Sequence, residues 1–151
     1  MIHKRILVIN DDPVVRASCI GMLKNQGYFV ETTGSTKEGL EHTMRKDYDC
    51  VLIDLNMLDT NGREIFRMAE KIRSDMSVLI ITGYSNIETA VEAVRLGVSG
   101  YVCRPLNQEE LVDAVDNSLL FMRKENNKKK KNRKVLNFIE KLLDMGMKGK
   151  F

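Results

Sequence analysis

Short apolar runs alternate along the chain with longer segments in which apolar residues recur at helical spacing. This alternation is typical of successive strand–helix–strand units, which build a parallel sheet covered by helices. The apolar runs predict five strands, at about residues 4–9, 28–32, 49–53, 77–82 and 100–103. The first, third and fourth runs are continuously apolar, as expected of strands covered on both faces. The second and fifth are more polar and are expected nearer the edges of the sheet.

Signals for helix ends lie between the predicted strands. Pro13 suits the first position of a helix after Asp12, and Gly27 suits the left-handed residue that ends that helix. Four later pairs place an N-cap acceptor three residues before a glutamate, namely Ser35 with Glu38, Asn61 with Glu64, Ser85 with Glu88, and Asn107 with Glu110. Because crossovers between parallel strands are right-handed, the pattern predicts a doubly wound α/β sheet of strand order 2-1-3-4-5.

Charge divides the chain into two parts. Residues 123–151 carry 11 Lys and Arg against 3 Asp and Glu, whereas residues 1–122 carry 13 against 18. We therefore predict one domain over 1–122, followed by a basic linker and a short amphipathic helix over 123–151. A solvated linker is the simplest interpretation of the basic run. Nucleic-acid binding through this tail, or packing of its apolar stripe on the body or on a partner helix, are alternatives.

The lengths of the apolar stretches and the spacing of the cysteines indicate in which cellular compartment the protein acts. No apolar stretch is long enough for a secretory signal or a membrane span, so a cytoplasmic protein without a membrane partner is expected. Cys19, Cys50 and Cys103 are widely spaced and show neither a disulfide framework nor zinc-ligand spacing.

Residues that could do chemistry follow four of the predicted strands. They are Asn10, Asp11, Asp12, Asp54, Thr82 and Arg104. Because the carboxyl ends of parallel strands share one edge of a sheet, these side chains are expected to converge in one crevice. Clustered carboxylates favour a hard cation, so we predict Mg²⁺ held by Asp11 and Asp54, with Asp12 as a further ligand. A carboxylate such as Asp54 can attack phosphorus and form an aspartyl phosphate, with Thr82 and Arg104 holding the phosphoryl oxygens.

Each of these residues also has a structural interpretation. Asp12 is equally suited to cap the first helix, and Asn10 could simply hydrogen-bond the loop. Thr82 is ordinary strand composition, and Tyr101 is more often a half-buried aromatic residue than a moving one. An isolated Asp54 would be a solvated carboxylate at a strand end. Only their joint spacing favours a functional site.

In this combination the chain resembles the receiver domains of two-component response regulators, over about residues 4–122. The resemblance rests on the run Ile6 to Pro13, Asp54 to Met57 with Gly62, Ile81-Thr82-Gly83, Leu96-Gly97, Tyr101, and Arg104-Pro105. It implies a flavodoxin-like fold in which Asp54 accepts a phosphoryl group from a histidine kinase or a histidine phosphotransfer protein. It also implies Mg²⁺ bound by Asp11, Asp54 and the backbone carbonyl of Asn56, and a switch pair of Thr82 and Tyr101.

The resemblance further implies how such a protein would act. A receiver of a bacterial two-component system catalyses its own phosphotransfer and loses the phosphoryl group slowly, and it is not a turnover enzyme. Its output would pass through the face formed by the fourth helix, fifth strand and fifth helix, by homodimerisation or by docking a downstream protein or output domain. The run from Thr82 to Ala93 looks most like receivers attached to transcription activators of the nitrogen-regulator type.

Three residues depart from the family pattern. Asn10 stands where the first of two acids is usual, which removes a negative charge and predicts weaker Mg²⁺ binding. Arg104 replaces a lysine, and its planar fork either reaches a phosphoryl oxygen or pairs with Asp54 and holds the site closed. Leu58 replaces a proline, which loosens the loop after Asp54. A pseudo-receiver, acting as a phosphorylation-independent binding module, is therefore an alternative. A third hypothesis, hydrolysis of small phosphate esters, would want a general acid where the chain has Asn56.

Overall fold

The computed structural model describes residues 3–57, 76–83, 98–120 and 139. Its strands are β1 (Arg5–Ile9), β2 (Phe29–Thr33), β3 (Cys50–Asp54), β4 (Ser77–Thr82) and β5 (Gly100–Cys103). They form one parallel sheet in the order β2-β1-β3-β4-β5. The predicted strands and their order are confirmed, and the two polar strands lie at the edges. The predominantly apolar β1, β3 and β4 occupy the centre, where both faces of a strand are covered.

The described helices begin where the local signals place them, and the first ends at Lys24, two residues before the predicted end at Gln26. Helix α1 (Pro13–Lys24) is capped by Asp12, whose Oδ1 accepts a hydrogen bond from the backbone N–H of Val14 at 2.9 Å. Gly27 follows with a φ of 87°, a conformation that glycine adopts without a Cβ clash. Helix α2 (Thr36–Arg45) is capped by Ser35, whose Oγ accepts from the N–H of Glu38 at 3.1 Å.

A 3₁₀ turn (Leu55–Met57) directly follows β3. A helix over 108–120 begins after Asn107, whose Oδ1 accepts a hydrogen bond from the N–H of Glu110 at 3.2 Å. The predicted helix starts at Asn61 and Ser85 lie outside the described residues. So does the predicted tail over 123–151, apart from Ile139, which is helical and exposed.

Alternating side chains of the sheet form a core on each face. One core joins β1, β3 and β4 to α1 and the 108–120 helix, through buried residues such as Ile6, Leu52 and Leu111. The other lies on the opposite face and includes Leu7, Ile9, Val51 and Ile53. Along the central strands, Ile9 pairs with Ile53, so Asn10 and Asp54, which follow them, reach the same edge.

Helix α2 approaches the sheet closely at Gly39. A Cβ on Gly39 would lie 2.5 Å from Cδ1 and 3.0 Å from Cγ1 of Ile9, whose side chain is fully buried. Glycine at this position therefore lets α2 pack directly on the end of β1 that precedes the polar edge of the sheet.

The amino-terminal end of the sheet buries neutral polar groups. Ser77 Oγ lies 3.1 Å from Ser118 Oγ, and Ser118 Oγ donates to the backbone carbonyl of Val115 at 2.8 Å. Cys50 Sγ lies 4.0 Å from the same hydroxyl, and burial raises the pKa of this thiol to about 11. Hydrogen bonds across this end thus tie the 108–120 helix to β3 and β4.

Charged groups along the edge strand β2 and beside it stay near the surface. The hydroxyl of the buried Tyr48 donates to Glu31 at 3.2 Å, and Lys46 Nζ pairs with Glu31 at 3.0 Å. Tyr28 donates to Asp116 on the 108–120 helix.

All three cysteines are free thiols. Within the described ranges, no helix is long and apolar enough to cross a membrane.

Candidate functional site

Asp54 lies at the carboxyl end of β3 and is 3% exposed. Three donors surround its carboxylate. The side-chain Nδ2 of Asn10 donates to Oδ2 at 3.2 Å, and the backbone N–H of Asn56 donates to Oδ1 at 2.9 Å. Nη2 of Arg104 lies 3.5 Å from Oδ2 and forms an ion pair with it. Because a buried carboxylate needs compensating partners, these three groups explain how a charge is accommodated at this depth.

Asn10 is fully buried, and its hydrogen bonds fix the direction of its amide. The side-chain Oδ1 accepts from the backbone N–H of Asp12 at 2.9 Å, which leaves the NH₂ group to face Asp54. The backbone N–H of Asn10 donates to the carbonyl of Thr33 at 3.1 Å. Asn10 is therefore a hydrogen-bond donor to Asp54, where a carboxylate at this position would repel it.

Arg16 stabilises the loop that contains Asn10, and the sequence patterns did not predict this role. Its Nη1 donates to the backbone carbonyl of Asn10 at 2.7 Å, and a Cβ on Gly34 would lie 3.2 Å from the same nitrogen. A signal for it was present, because Arg16 falls four residues after the helix cap Asp12 and so projects from the first turn of α1. It acts on the site through the backbone of Asn10.

Thr82 and Arg104 lie on neighbouring strand ends beside Asp54. Thr82 is the last residue of β4 and is buried, and its backbone carbonyl accepts from the N–H of Arg104 at 2.7 Å. The Arg104–Pro105 peptide is cis. A Cβ on Gly83 would lie 3.5 Å from Nη2 of Arg104, so the guanidinium passes directly beside this glycine on its way to Asp54.

The two acids after Asn10 are placed differently from Asp54. Asp12 is half-buried and caps α1, which confirms its predicted structural role, and Asp11 is exposed. Within the described ranges, no group of three or more His, Cys, Asp or Glu side chains could hold a metal ion. The predicted set of Asp11, Asp12 and Asp54 therefore does not form a three-carboxylate cluster, because the carboxylate of Asp12 is directed to the helix end.

The remaining oxygen donors still suit a hard cation. Mg²⁺ is usually held by one or two carboxylates together with waters and substrate oxygens, so three protein carboxylates are not required. The carboxylates of Asp11 and Asp54 and the backbone carbonyl of Asn56 belong to the two loops that follow β1 and β3, which are adjacent strands. The chemistry of this donor set fits Mg²⁺, as the resemblance implies.

Tyr101 lies on the edge strand β5 and is 45% exposed. It pairs in register with Ile80, two residues before Thr82 on β4. The structure thus places both members of the predicted switch pair on adjacent strands, with Thr82 buried and Tyr101 at the surface. A change in the position of either side chain stays a prediction.

The arrangement as a whole can support attack on phosphorus. A carboxylate, which can serve as a nucleophile, is held at the edge of the sheet, and beside it lie a cationic guanidinium and N–H donors, the kinds of group that stabilise charge on transferring phosphoryl oxygens. The predicted residues Asn10, Asp54, Asn56 and Arg104 are brought into direct contact. Thr82 joins them through the backbone of Arg104.

Comparisons with known proteins agree with this geometry. A family model described as Response regulator receiver domain matches residues 6–116. The cell cycle response regulator CtrA of Brucella ovis is 33% identical over 108 residues, which cover 72% of this chain and 47% of CtrA. The chain thus spans about half the length of the curated relatives it matches.

Solved structures give the same result. A CheY-like receiver domain protein from Methanospirillum hungatei is 30% identical, with a TM-score of 0.72 over 82% of this chain and 99% of that one. NtrX from Brucella abortus, solved in complex with ADP, gives a TM-score of 0.74 at 22% identity, over 85% of this chain and 29% of NtrX. The latter shows a likeness of fold alone, so the resemblance to nitrogen-regulator receivers stays a prediction.

Proposed function

The chain belongs to the family of response regulator receiver domains of two-component systems, and we propose that its Asp54 accepts a phosphoryl group from a histidine kinase or a histidine phosphotransfer protein. The observation that carries this proposal is the placement of one buried carboxylate among three donors at the carboxyl edge of the sheet. Its position at the carboxyl ends of adjacent parallel strands, where sheets of this kind bind their ligands, favours a functional role over a purely structural one.

Asp54 acts as the nucleophile. As its carboxylate oxygen forms a bond to phosphorus, the bond from phosphorus to the donor imidazole nitrogen breaks, and that nitrogen keeps the electron pair. Arg104, with Nη2 3.5 Å from Oδ2, is close enough to donate hydrogen bonds to the incoming phosphoryl oxygens. Thr82 lies beside Arg104 and offers a hydroxyl to the same group. Mg²⁺, when held by Asp11, Asp54 and the carbonyl of Asn56, supplies charge neutralisation for those oxygens.

The proposal also covers the protein's context. Like other receivers, the chain would act in the cytoplasm and use the phosphoryl group as a signal rather than turn over a substrate. Its output would pass through a face that includes β5, where Tyr101 is exposed. A second copy of the chain, a downstream protein or an attached output domain are the proposed recipients. Nucleic-acid binding is proposed only for the basic tail.

Intact-mass spectrometry tests the acceptor. The full chain is incubated with Mg²⁺ and acetyl phosphate or phosphoramidate, and a mass increase of one phosphoryl group is expected. Asp54→Asn should abolish the adduct, whereas Asp113→Asn, the same change at an exposed aspartate of the 108–120 helix, should retain it. An adduct that persists in Asp54→Asn would place the chemistry elsewhere.

A pseudo-receiver is the second candidate, and two observations favour it. Asn10 donates to Asp54 instead of adding a metal-binding charge, and Arg104 already neutralises the carboxylate. This candidate predicts no adduct at high donor concentration and partner binding that is unchanged in Asp54→Asn. Sustained release of phosphate from small esters would instead support the enzyme hypothesis.

A further inference from the structure

The two family departures that lie within the described residues act on the same atom. Asn10 Nδ2 and Arg104 Nη2 both approach Oδ2 of Asp54, at 3.2 Å and 3.5 Å. We propose that Arg104 is a resident counter-cation of Asp54 that competes with Mg²⁺ for this carboxylate, so that the metal binds only when the guanidinium withdraws. The inference deepens the proposed function, because it rests on Asp54 being both the acceptor and a metal ligand.

The charges around Asp54 account for the competition. The one negative charge of Asp54 faces the one positive charge of Arg104, and Asn10 contributes none. A divalent cation at this carboxylate would lie close to the guanidinium, and among the described acids of the loop after β1, Asp11 is exposed and Asp12 is directed to the end of α1. An opposite charge within about 4–6 Å changes the affinity of a carboxylate for a proton by about 10- to 1000-fold. A bound metal ion senses the same field, so pairing with Arg104 weakens metal binding.

The two partners differ in how easily they can leave the pair. The side chain of Asp54 is 4% exposed and that of Arg104 is 29% exposed, so the guanidinium has access to water and the carboxylate has little. The backbone of Arg104 stays bonded to Thr82, and Gly83 places no side chain beside the guanidinium. Arg104 can therefore swing outward about its own side-chain torsions while β5 stays in place. It is the moving part, and Asp54 is the fixed one.

Asn10 favours the arrangement in which Asp54 is paired with Arg104 over one in which it binds a cation. Because its Oδ1 is occupied by the N–H of Asp12, its NH₂ group must face Asp54 and cannot offer an oxygen there. An aspartate at position 10 could accept the same N–H with one oxygen and present the other to a cation. Asn10→Asp would thus remove a donor from Oδ2 and add a negative charge.

Mg²⁺ titration of the full chain tests the competition directly. Binding is followed by the backbone amide NMR signals of Asn56 and Gly83, in the absence of any phosphodonor. Arg104→Gln should bind Mg²⁺ at least about tenfold more tightly than the unmodified chain, by the charge argument above. Arg45→Gln, which removes one positive charge from the end of α2, is the matched control and should bind within about twofold of the unmodified chain. Equal affinity of Arg104→Gln and the unmodified chain would overturn the proposal.

Further variants keep the test decisive. Arg104→Lys keeps the charge and should fold, and its compact ammonium should compete less, giving an intermediate affinity. The comparison is repeated in the Asn10→Asp background, where binding is stronger and Arg104→Gln should still add to it. No Mg²⁺ binding in any of these variants would also overturn the proposal. A phosphoryl adduct with no effect of Arg104 would refute this inference alone, whereas metal competition without an adduct would refute only the proposed phosphotransfer.

Discussion

The two ends of the sheet bury polar groups in opposite ways. At the amino-terminal end the buried groups are neutral hydroxyls and a thiol, those of Ser77, Ser118 and Cys50, and charges such as Asp49 lie near the surface. At the carboxyl-terminal end a carboxylate, Asp54, is buried and satisfied by Asn10, Asn56 and a cation. One end of the sheet therefore holds the 108–120 helix in place through neutral polar groups, and the other end stabilises a buried carboxylate.

The difference shows where this fold can accommodate charge. Neutral polar groups at the amino-terminal end hydrogen-bond one another and the backbone, so they hold the 108–120 helix on the sheet without desolvating an ion. At the carboxyl-terminal end, the loops that follow several strands lie close together, so their N–H groups and side chains can contact one carboxylate. Three predictions test whether the two ends differ in this way.

The largest effect is expected when a charge is placed at the neutral end. Ser118→Asp should lower the free energy of unfolding at pH 7 by about 4 kcal/mol relative to Ser118→Asn, which matches it in size, because the hydroxyl and carbonyl partners of Ser118 cannot neutralise a carboxylate. Burial would raise the pKa of the new carboxyl, so the penalty should shrink as pH falls towards the ordinary aspartate pKa of about 3.9, and it should vanish below that pH, where the group is neutral in both states.

Urea unfolding of both Ser118 variants at several pH values measures this penalty. Equal stability of Ser118→Asp and Ser118→Asn at pH 7 would mean that the two ends tolerate charge alike. A penalty that does not change with pH would assign the loss to packing instead of charge.

A smaller effect is expected when the charged end loses its cation. Arg104→Gln should cost about 2 kcal/mol of unfolding free energy, less than the roughly 3–5 kcal/mol of fully buried pairs, because Arg104 is partly exposed and two N–H donors remain on Asp54. In an Asp54→Asn background the same change should cost almost nothing, since no carboxylate is left unpaired.

The measurement is a double-mutant cycle by urea unfolding, with Arg45→Gln as the control that stays within about 0.5 kcal/mol. An absence of coupling between positions 54 and 104 would contradict the ion pair. Additive losses from both residues would show that each stabilises the fold by separate contacts.

The smallest effect is expected for Glu31, whose partly exposed charge lies on the edge strand β2 between the two ends of the sheet. Burial raises the pKa of Glu31, but hydrogen bonds from Lys46 and Tyr48 outweigh it, so the net pKa is lowered from the ordinary value of 4.5. Its contribution to stability is therefore present above that value and is lost as pH falls through the lowered one. Glu31→Gln should cost well under 1 kcal/mol at pH 7 and nothing at about pH 3. Thermal unfolding at the two pH values checks this, and a larger cost at low pH would reverse the assignment.

Sequence patterns predicted the sheet because the signals are local. Continuous apolar runs separate the central strands from the edge strands, and caps such as Ser35 and Asn107 mark helix starts whatever lies around them. The convergence of Asp54 and Arg104 followed from the strand order. The fold was thus predictable in outline from the chain alone, as far as the described residues show.

Details that depend on tertiary contacts were not predictable in the same way. The direction of the Asn10 amide is set by the N–H of Asp12, and the choice of Asp12 between capping and metal binding depends on the same turn. The pairing of Arg104 with Asp54 was one of two alternatives, and the geometry favours it. Ser118 continues the buried face of its helix after Leu111 and Val115, so its burial could be predicted from helical spacing. Its hydroxyl partner Ser77 could not be predicted, because that contact depends on how the helix packs on β4.

Gly39 gives the site a dependence on a residue that touches none of its chemistry. A methyl group there would press on Ile9, whose successor along the chain is Asn10. The absence of a side chain at Gly39 on α2 thus affects the position of Ile9 and, through it, the position of Asn10 beside Asp54. Mutational tolerance at position 39 is accordingly expected to be low for reasons of shape, and a scan of variants would score it among the sensitive positions although it carries no functional group.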